Sequence, residues 1–332
     1  MEEIVDVLLT TYNSNIDYLK KQIDSILNQT YKNIKLIISD DCSSNEDVKV
    51  VLKEYEEKDS RVKVYFQEKN LGYTKNFEFV LTKSEGDYVA FCDHDDIWYE
   101  NKIEMCLKSL KEQNVDLVYC DAKQIDENGK VINESYLRYK KLPILNNKKY
   151  NKIIPFSRHI AIGCSQLFTK EVRQKMIPFT DNTIAHDWHN LFIASRLKGV
   201  YCIDKSLFEY RLHGNNAFGG RSFKQNMKIW KEKNGKNFSS YLLYRKRVIT
   251  ETYLAGVQMC ESYNKENEDK KYLKDEEKVI RYFEKAQATK VLYFPIHKYF
   301  KYMYFKGIKS RVFKELMILH FPIISFLVFT CV

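Results

Sequence analysis

The chain has no CxxC pair. Its eight cysteines, at positions 42, 92, 106, 120, 164, 202, 260 and 331, are scattered, most of them in apolar or helical contexts. That pattern argues against a zinc site or a disulfide framework and predicts buried free thiols in a reducing compartment. No internal repeat is visible. The acidic start, Met1-Glu2-Glu3, runs straight into a strand-like segment, which predicts that no secretory signal is present. The apolar end, Leu316 to Val332, holds no formal charge but is interrupted by Pro322. It sits at the lower limit of about 17 residues for a bilayer-spanning helix, so spanning is not expected.

With 332 residues, 44% hydrophobic and 30% charged, the composition is that of a folded protein, large enough for one α/β domain and an appendage. The net charge of +10 is unevenly spread. Residues 1–220 carry 31 Lys+Arg against 33 Asp+Glu, and residues 221–332 carry 23 against 11. Two parts with different partners are implied: a near-neutral domain over 1–220 and a basic region over 221–332.

Strand and helix signals alternate through the first part. Strands are expected at Ile4–Leu9, Ile34–Ile38, Val62–Phe66, a run ending at Cys92, and Asp116–Cys120. Helices are expected at about Asp17–Asn28, from a Ser44 or Asn45 cap to Lys58, at Lys75–Thr82 and from about Asn101. Asp126-Glu127-Asn128-Gly129 reads as a hairpin turn before a basic polar stretch, 138–152. A strand at Ile160–Phe168, a helix at His186–Lys198 and strands near Val200–Ile203 and Leu207–Leu212 follow. Beyond Gly220 the pattern turns helical, at about 223–234, 239–263 and 270–290. Strands separated by helices predict an α/β fold with a mostly parallel central sheet, whose ligands bind beyond the strands' carboxyl ends.

The sharpest chemical signal is Asp93-His94-Asp95-Asp96-Ile97-Trp98, directly after the apolar run Tyr88–Cys92. Three carboxylates in four residues repel one another unless a cation offsets them. Mg²⁺ or Mn²⁺ takes such oxygen ligands together with substrate phosphates. The plainer alternative is an acidic loop capping the next helix.

Five segments in register give this run a context: Thr10-Thr11-Tyr12-Asn13, Asp40-Asp41-Cys42-Ser43, Asn70-Leu71-Gly72, the acidic run and His186-Asp187-Trp188. Over roughly residues 4–220 they resemble the inverting family 2 glycosyltransferases of GT-A fold. With Tyr210-Arg211-Leu212-His213-Gly214-Asn215-Asn216, they look like the rhamnosyltransferase-type branch that assembles bacterial surface polysaccharides.

The resemblance implies a nucleotide-sugar donor. It places Asp41 on the pyrimidine N3–H, Thr10 and Tyr12 along the base, Asn13 among the donor-binding residues, and Lys75 near the diphosphate. Asp95 becomes the metal ligand, with Asp93 facing the ribose or the same ion and His213 completing the shell or touching the diphosphate, for Mn²⁺ or Mg²⁺. Asp96 would contact sugar or acceptor, and Gly163 would let the backbone approach the donor sugar. Asp187 is implied as the catalytic base, with His186 bonding the base or the acceptor. Read without the resemblance, Asp41 is a loop cap, Lys75 a solvated helix lysine, Asp187 a helix N-terminal carboxylate and His213 a loop support. Cys164 as a nucleophile is not expected, because inverting displacement needs no covalent intermediate. His94 replaces a glutamine common in this branch.

From Lys290 to Lys314 there are seven basic residues, no acids and eight Phe or Tyr. Followed by an apolar end, this predicts a segment lying on an anionic membrane surface, suited to a lipid-linked glycan acceptor. Packing on the catalytic domain or a homodimer contact is the alternative, and nucleic acid is not expected as a partner. The combined expectation is a metal-dependent inverting transferase at the cytoplasmic membrane face, with dTDP-L-rhamnose as donor. A UDP-hexose is the second donor choice. A non-catalytic glycan- or nucleotide-binding module is the reading from another class.

Overall fold

A computed structural model describes residues 3–140, 142, 144–145, 160–179, 185–213 and 232. The basic stretch after 145, Gly214–Asn216, the helices expected over 223–290 and the whole tail lie outside these residues. The chain divides into two units, one of Met1–Pro155 with His159–His213 and one of Phe156–Arg158 with Gly214–Val332. The elements below belong to the first.

The sequence alternation becomes β1 (Val5–Thr11), α1 (Ile16–Leu27), β2 (Ile34–Asp40), α2 (Glu46–Lys58), β3 (Val62–Phe66), α3 (Tyr73–Thr82) and β4 (Tyr88–Cys92). After the acidic turn come β5 (Ile97–Trp98), α4 (Lys102–Gln113), β6 (Leu117–Ile125), β7 (Val131–Asn133) and α5 (Tyr136–Tyr139). A 3₁₀ turn at Gly163–Ser165 leads into β8 (Gln166–Thr169), α6 (Lys170–Met176), α7 (His186–Arg196) and β9 (Val200–Arg211).

The sheet order is β3-β2-β1-β4-β8-β6-β9-β5, with β7 beside β6. β1 pairs in parallel with β2 and β4, as do β2 with β3 and β6 with β9. β1 and β4 are buried on both faces, as parallel strands under helices must be, and read as nearly unbroken apolar runs. The one charge in the middle of β1, Asp6, is fully buried. It accepts from Ser84 Oγ and the Glu85 and Gly86 N–H groups, which offsets its desolvation. Asn15 and Asn45 cap α1 and α2 with their side-chain oxygens.

Three departures from the sequence reading position the site. The strand expected over Ile160–Phe168 is instead the 3₁₀ turn followed by the short β8. β8 runs antiparallel to β4, with Ala90 opposite Leu167, so the turn at its start lands beside the end of β4. The two strands expected after Val200 are one continuous β9, with the register shifting against β6 near Asp121. β5 is only two residues long and too short to show in a periodicity, yet it pairs Ile97 with Glu209 and Trp98 with Phe208. The end of β9 is thereby stitched to the acidic turn.

Candidate active site

The site forms where β1, β2 and β4 end. In register, Thr11 faces Asp40 and Leu9 faces Cys92. Thr11 Oγ1 donates to Asp40 Oδ1 at 2.8 Å, and Ser43 closes the loop with its N–H on Oδ2 at 2.8 Å and its hydroxyl on Oδ1 at 2.6 Å. Asp41 is buried and points the other way. Its oxygens accept the N–H groups of Leu71 at 2.6 Å and Gly72 at 2.9 Å. The Asp40-Asp41 and Asn70-Leu71-Gly72 segments are thus one clamp, and Gly72, with φ of 80°, supplies a conformation that favours glycine.

Asn13 braces this clamp. Its Oδ1 accepts the Ser44 and Asn45 N–H groups at 2.9 and 3.3 Å, so its side chain holds the loop after β2. Thr10 is partly buried at the end of β1, and Tyr12 is 50% exposed beside it, an uncovered aromatic next to Asp41's loop. Lys75 pairs with Glu78 at 2.7 Å on the surface of α3, as a helix-face lysine does.

The acid turn after β4 is held from two sides. Arg211, 2% exposed at the end of β9, donates its backbone N–H to Asp96 Oδ1 at 3.0 Å and its Nε–H to the Asp95 carbonyl at 2.9 Å. Its guanidinium stacks over the Tyr18 ring at 4.3 Å. Asp96 is fully buried and faces this scaffold. Asp95 turns to His213, Oδ2 lying 2.7 Å from Nε2. From the other side Lys102, 2% exposed, donates to the Cys164 carbonyl at 2.9 Å and lies 3.1 Å from the Trp98 ring centroid.

Electrostatics follow from this crowding. Burial, then the charges of Asp95 and Asp187, push Asp93 up to about 7, against the nearby Cys164 thiol and the charge of Lys102. Burial and the charges of Asp95 and Asp93 push Asp96 well above the usual carboxylate range. Burial also acts on Asp95, but the His213 hydrogen bond and the His94 and His213 charges outweigh it and hold Asp95 low. Carboxylates driven to take up protons are a donor set that a divalent cation would relieve. Asp93, Asp96 and Cys164 each offer a ligand atom within 4.8 Å of the others. The residues present fit a cation.

Asp187 opens α7 and is 9% exposed. Its Oδ2 accepts the Gly163 N–H at 3.0 Å and its Oδ1 the Trp188 N–H at 2.8 Å, which fixes the carboxylate. Gln166 Nε2 donates to the Asp187 carbonyl and Asn190 Nδ2 to Gln166 Oε1, a buried chain that ties α7 to β8. The ring of His186 stacks on Phe77 at 3.8 Å and meets Phe91 edge-on at 4.7 Å, so it is packed into an aromatic nest. A Cβ on Gly163 would lie 2.9 Å from His186 Nε2.

Asp93, Asp95, Asp96, Gly163, Asp187 and His213 therefore share one region, with one Asp96 oxygen taken by the Arg211 N–H, while Asn13 and Lys75 are engaged with protein groups. Lys102 and Arg211 carry no role in the sequence reading. Lys102 had a signal: it shares a helical face with Cys106 and Leu110, both buried, which is no place for a solvated lysine.

A twisted, mostly parallel sheet flanked by helices, with acids gathered at the strand ends, is the GT-A type of glycosyltransferase fold. The chain belongs to glycosyl transferase family 2, whose family model matches residues 6–177. It is 29% identical over 228 residues to an uncharacterized glycosyltransferase of Methanocaldococcus jannaschii, covering 68% of this chain and 76% of that one. It is 32% identical over 229 residues to the Escherichia coli UDP-Glc:α-D-GlcNAc-diphosphoundecaprenol β-1,3-glucosyltransferase WfgD, covering 68% and 84%. Against an uncharacterized Rickettsia bellii glycosyltransferase, 31% identical, the chain spans only 29% of the relative's length. S. aureus TarS 1–349, solved in complex with UDP-GlcNAc, superposes with a TM-score of 0.51 at 18% identity, covering 82% of this chain and 78% of that one. That likeness is one of fold.

Proposed function

We propose that this glycosyltransferase moves a hexose from a UDP-sugar to a hydroxyl of a lipid-linked glycan, with inversion at the anomeric carbon and with help from a divalent cation. The observation that carries the reading is the convergence of the acidic turn with Asp187: Asp187 accepts the Gly163 N–H at 3.0 Å, and the thiol of the next residue, Cys164, lies within 4.8 Å of carboxylate oxygens of Asp93 and Asp96. A base on one side and a diphosphate-binding turn on the other is the arrangement that direct displacement requires.

Asp187, held by two backbone N–H groups, accepts the proton of the acceptor hydroxyl as that oxygen attacks C1 of the sugar. Asp41 orients the pyrimidine from its clamp, and exposed Tyr12 covers the base. Asp95, Asp93 and His213 would hold the cation, which offsets the charge developing on the leaving diphosphate. An imidazole in the set favours Mn²⁺ over Mg²⁺. Gly163 keeps the wall beside Asp187 free of a side chain.

The donor preference rests on the similarity to WfgD, which names UDP-Glc. A dTDP-L-rhamnose donor, expected from the motifs, is supported by motif resemblance alone and stands second. The WfgD acceptor also favours a lipid-linked substrate. We propose that the basic aromatic segment 290–314 brings residues 1–220 to the cytoplasmic membrane face, or forms a homodimer contact. Among the described residues no helix is long and apolar enough to cross a membrane.

The test is release of nucleotide diphosphate from UDP-glucose, UDP-galactose, UDP-GlcNAc and dTDP-rhamnose, each with Mn²⁺ and an undecaprenyl-diphosphate-linked GlcNAc. Acceptor-dependent UDP release supports the reading. Release from dTDP-rhamnose alone moves the donor to the second choice, and donor binding without release marks a non-catalytic module.

A further inference from the structure

One exposed aromatic beside the site, Tyr73, has no part in the proposed reaction. We propose that its ring is the wall on which the hexose of the donor lies, a step that rests on the donor site proposed above, with the pyrimidine at Asp41 and the anomeric carbon before Asp187. Tyr73 then selects for the sugar, whereas Asp41 and Tyr12 hold the nucleotide.

Position is the first support. Tyr73 follows Gly72 directly and opens α3. The Gly72 N–H donates to Asp41 Oδ2 at 2.9 Å, so the backbone leading into Tyr73 is fixed to the pyrimidine clamp. The Tyr73 ring meets the ring of His186 edge-on, with centroids 6.5 Å apart. His186 directly precedes Asp187, and a Cβ on Gly163 would stand 2.9 Å from its Nε2. A ring tied to the clamp through its backbone and to the neighbour of the base through its side chain spans the interval that a bound donor sugar occupies.

Exposure is the second support. Tyr73 and Phe77 lie four apart on α3 and share one of its faces. Phe77 is buried and stacks on His186 at 3.8 Å, so it already supplies the packing that ring needs. Tyr73, one turn nearer the carboxyl ends of the strands, remains 41% exposed. Those strand ends are where ligands of such sheets bind. An aromatic left half open there suits a partner with an apolar surface and polar edges. A pyranose ring is such a partner: its axial C–H bonds make flat apolar patches, and its hydroxyls point outward from the rim. Gly163 keeps one wall free of a side chain, and Tyr73 supplies a flat one. Covering a C–H face of the sugar also keeps water away from the anomeric carbon until the acceptor hydroxyl arrives.

The experiment is calorimetric titration of the full chain in Mn²⁺ with UDP and, separately, with UDP-glucose, in wild type, Tyr73→Phe, Tyr73→Leu and Tyr73→Ala. The expected result is an unchanged UDP affinity in every variant. UDP-glucose affinity should be kept in Tyr73→Phe, which retains the flat ring, and fall by about 5- to 30-fold in Tyr73→Ala and Tyr73→Leu. A residue that only supports His186 and the clamp would weaken both ligands together, so equal losses for UDP and UDP-glucose overturn the proposal. Unchanged UDP-glucose affinity in Tyr73→Ala overturns it as well. If Tyr73→Ala does not fold, Tyr73→Leu, which keeps apolar bulk against His186, decides by the same comparison. Failure of wild type to bind either ligand removes the donor site itself and this role with it. Binding of UDP-glucose without transfer of glucose counts against the proposed reaction and leaves the role of Tyr73 standing.

Discussion

His213 Nε2 and Asp95 Oδ2 lie 2.7 Å apart, joining the segment that follows β9 to the turn that follows β4. The contact exists because the two-residue β5 pairs with β9 and because Arg211 grips the acid turn. If this pair holds the cation, His213→Ala weakens Mn²⁺ binding by about 10- to 100-fold, and Asp95→Ala weakens it further. His213→Asp should also narrow the preference for Mn²⁺ over Mg²⁺, since it replaces nitrogen by a hard oxygen. Titration of each variant with both ions checks this, and unchanged affinities would remove His213 from the set.

Gly163 is where a single methyl group should be felt. Its Cβ would stand 2.9 Å from His186 Nε2, and that ring is backed by Phe77 at 3.8 Å. Gly163→Ala should lower stability by about 1–3 kcal/mol and reduce kcat through displacement of the N–H that Asp187 accepts. Thermal unfolding and turnover of the purified variant give both numbers.

Asp41 should act on binding more than on turnover. Asp41→Asn keeps the shape of the clamp but replaces one acceptor oxygen by a donor facing the Leu71 or Gly72 N–H. Donor KM should rise by about 10- to 100-fold with a smaller change in kcat. A fall in kcat at constant KM would place Asp41 in the chemistry instead.

His189 contributes stability that acid removes, opposite in sign to the buried carboxyls Asp93 and Asp96, whose raised pKa values favour the folded chain as pH falls. The ring is buried on α7, edge-on to Phe179 at 5.6 Å, and Nδ1 has no hydrogen-bond partner among the described residues. Burial lowers its pKa from 6.5 to about 4, with the Glu78 charge acting weakly the other way. The unfolded chain therefore takes up a proton below pH 6.5 that the folded chain refuses. The contribution is complete above that pH and is lost as pH falls toward 4, by about 3 kcal/mol in all. Comparing the melting temperatures of wild type and His189→Phe from pH 7 to pH 5 tests it: wild type should lose stability relative to the variant across that range.

The parallel half of the fold was readable because β1, β2 and β4 are apolar runs, the last two leading directly into acids, and such runs are local to the sequence. The α2 cap was readable for the same local reason as Ser44 or Asn45, and Asn45 supplies it. The antiparallel part was not. β8 follows an irregular turn and β5 has two residues, so neither leaves a period, and their places are fixed only by pairing with distant strands. Among site residues, Asp187 and Asp93 were named from motifs, but what holds them was hidden. The Gly163 N–H, the buried Lys102 and the Arg211 fork act across long sequence separations that no local pattern encodes.

The central claim is that Asp187 is the base of a glycosyl transfer. The most direct measurement is single-turnover transfer from UDP-glucose to the lipid-linked acceptor in wild type and Asp187→Asn, with donor affinity measured in parallel. The account predicts a rate lower by about 10²- to 10⁴-fold in Asp187→Asn with donor affinity little changed. Equal rates in the two proteins would contradict it.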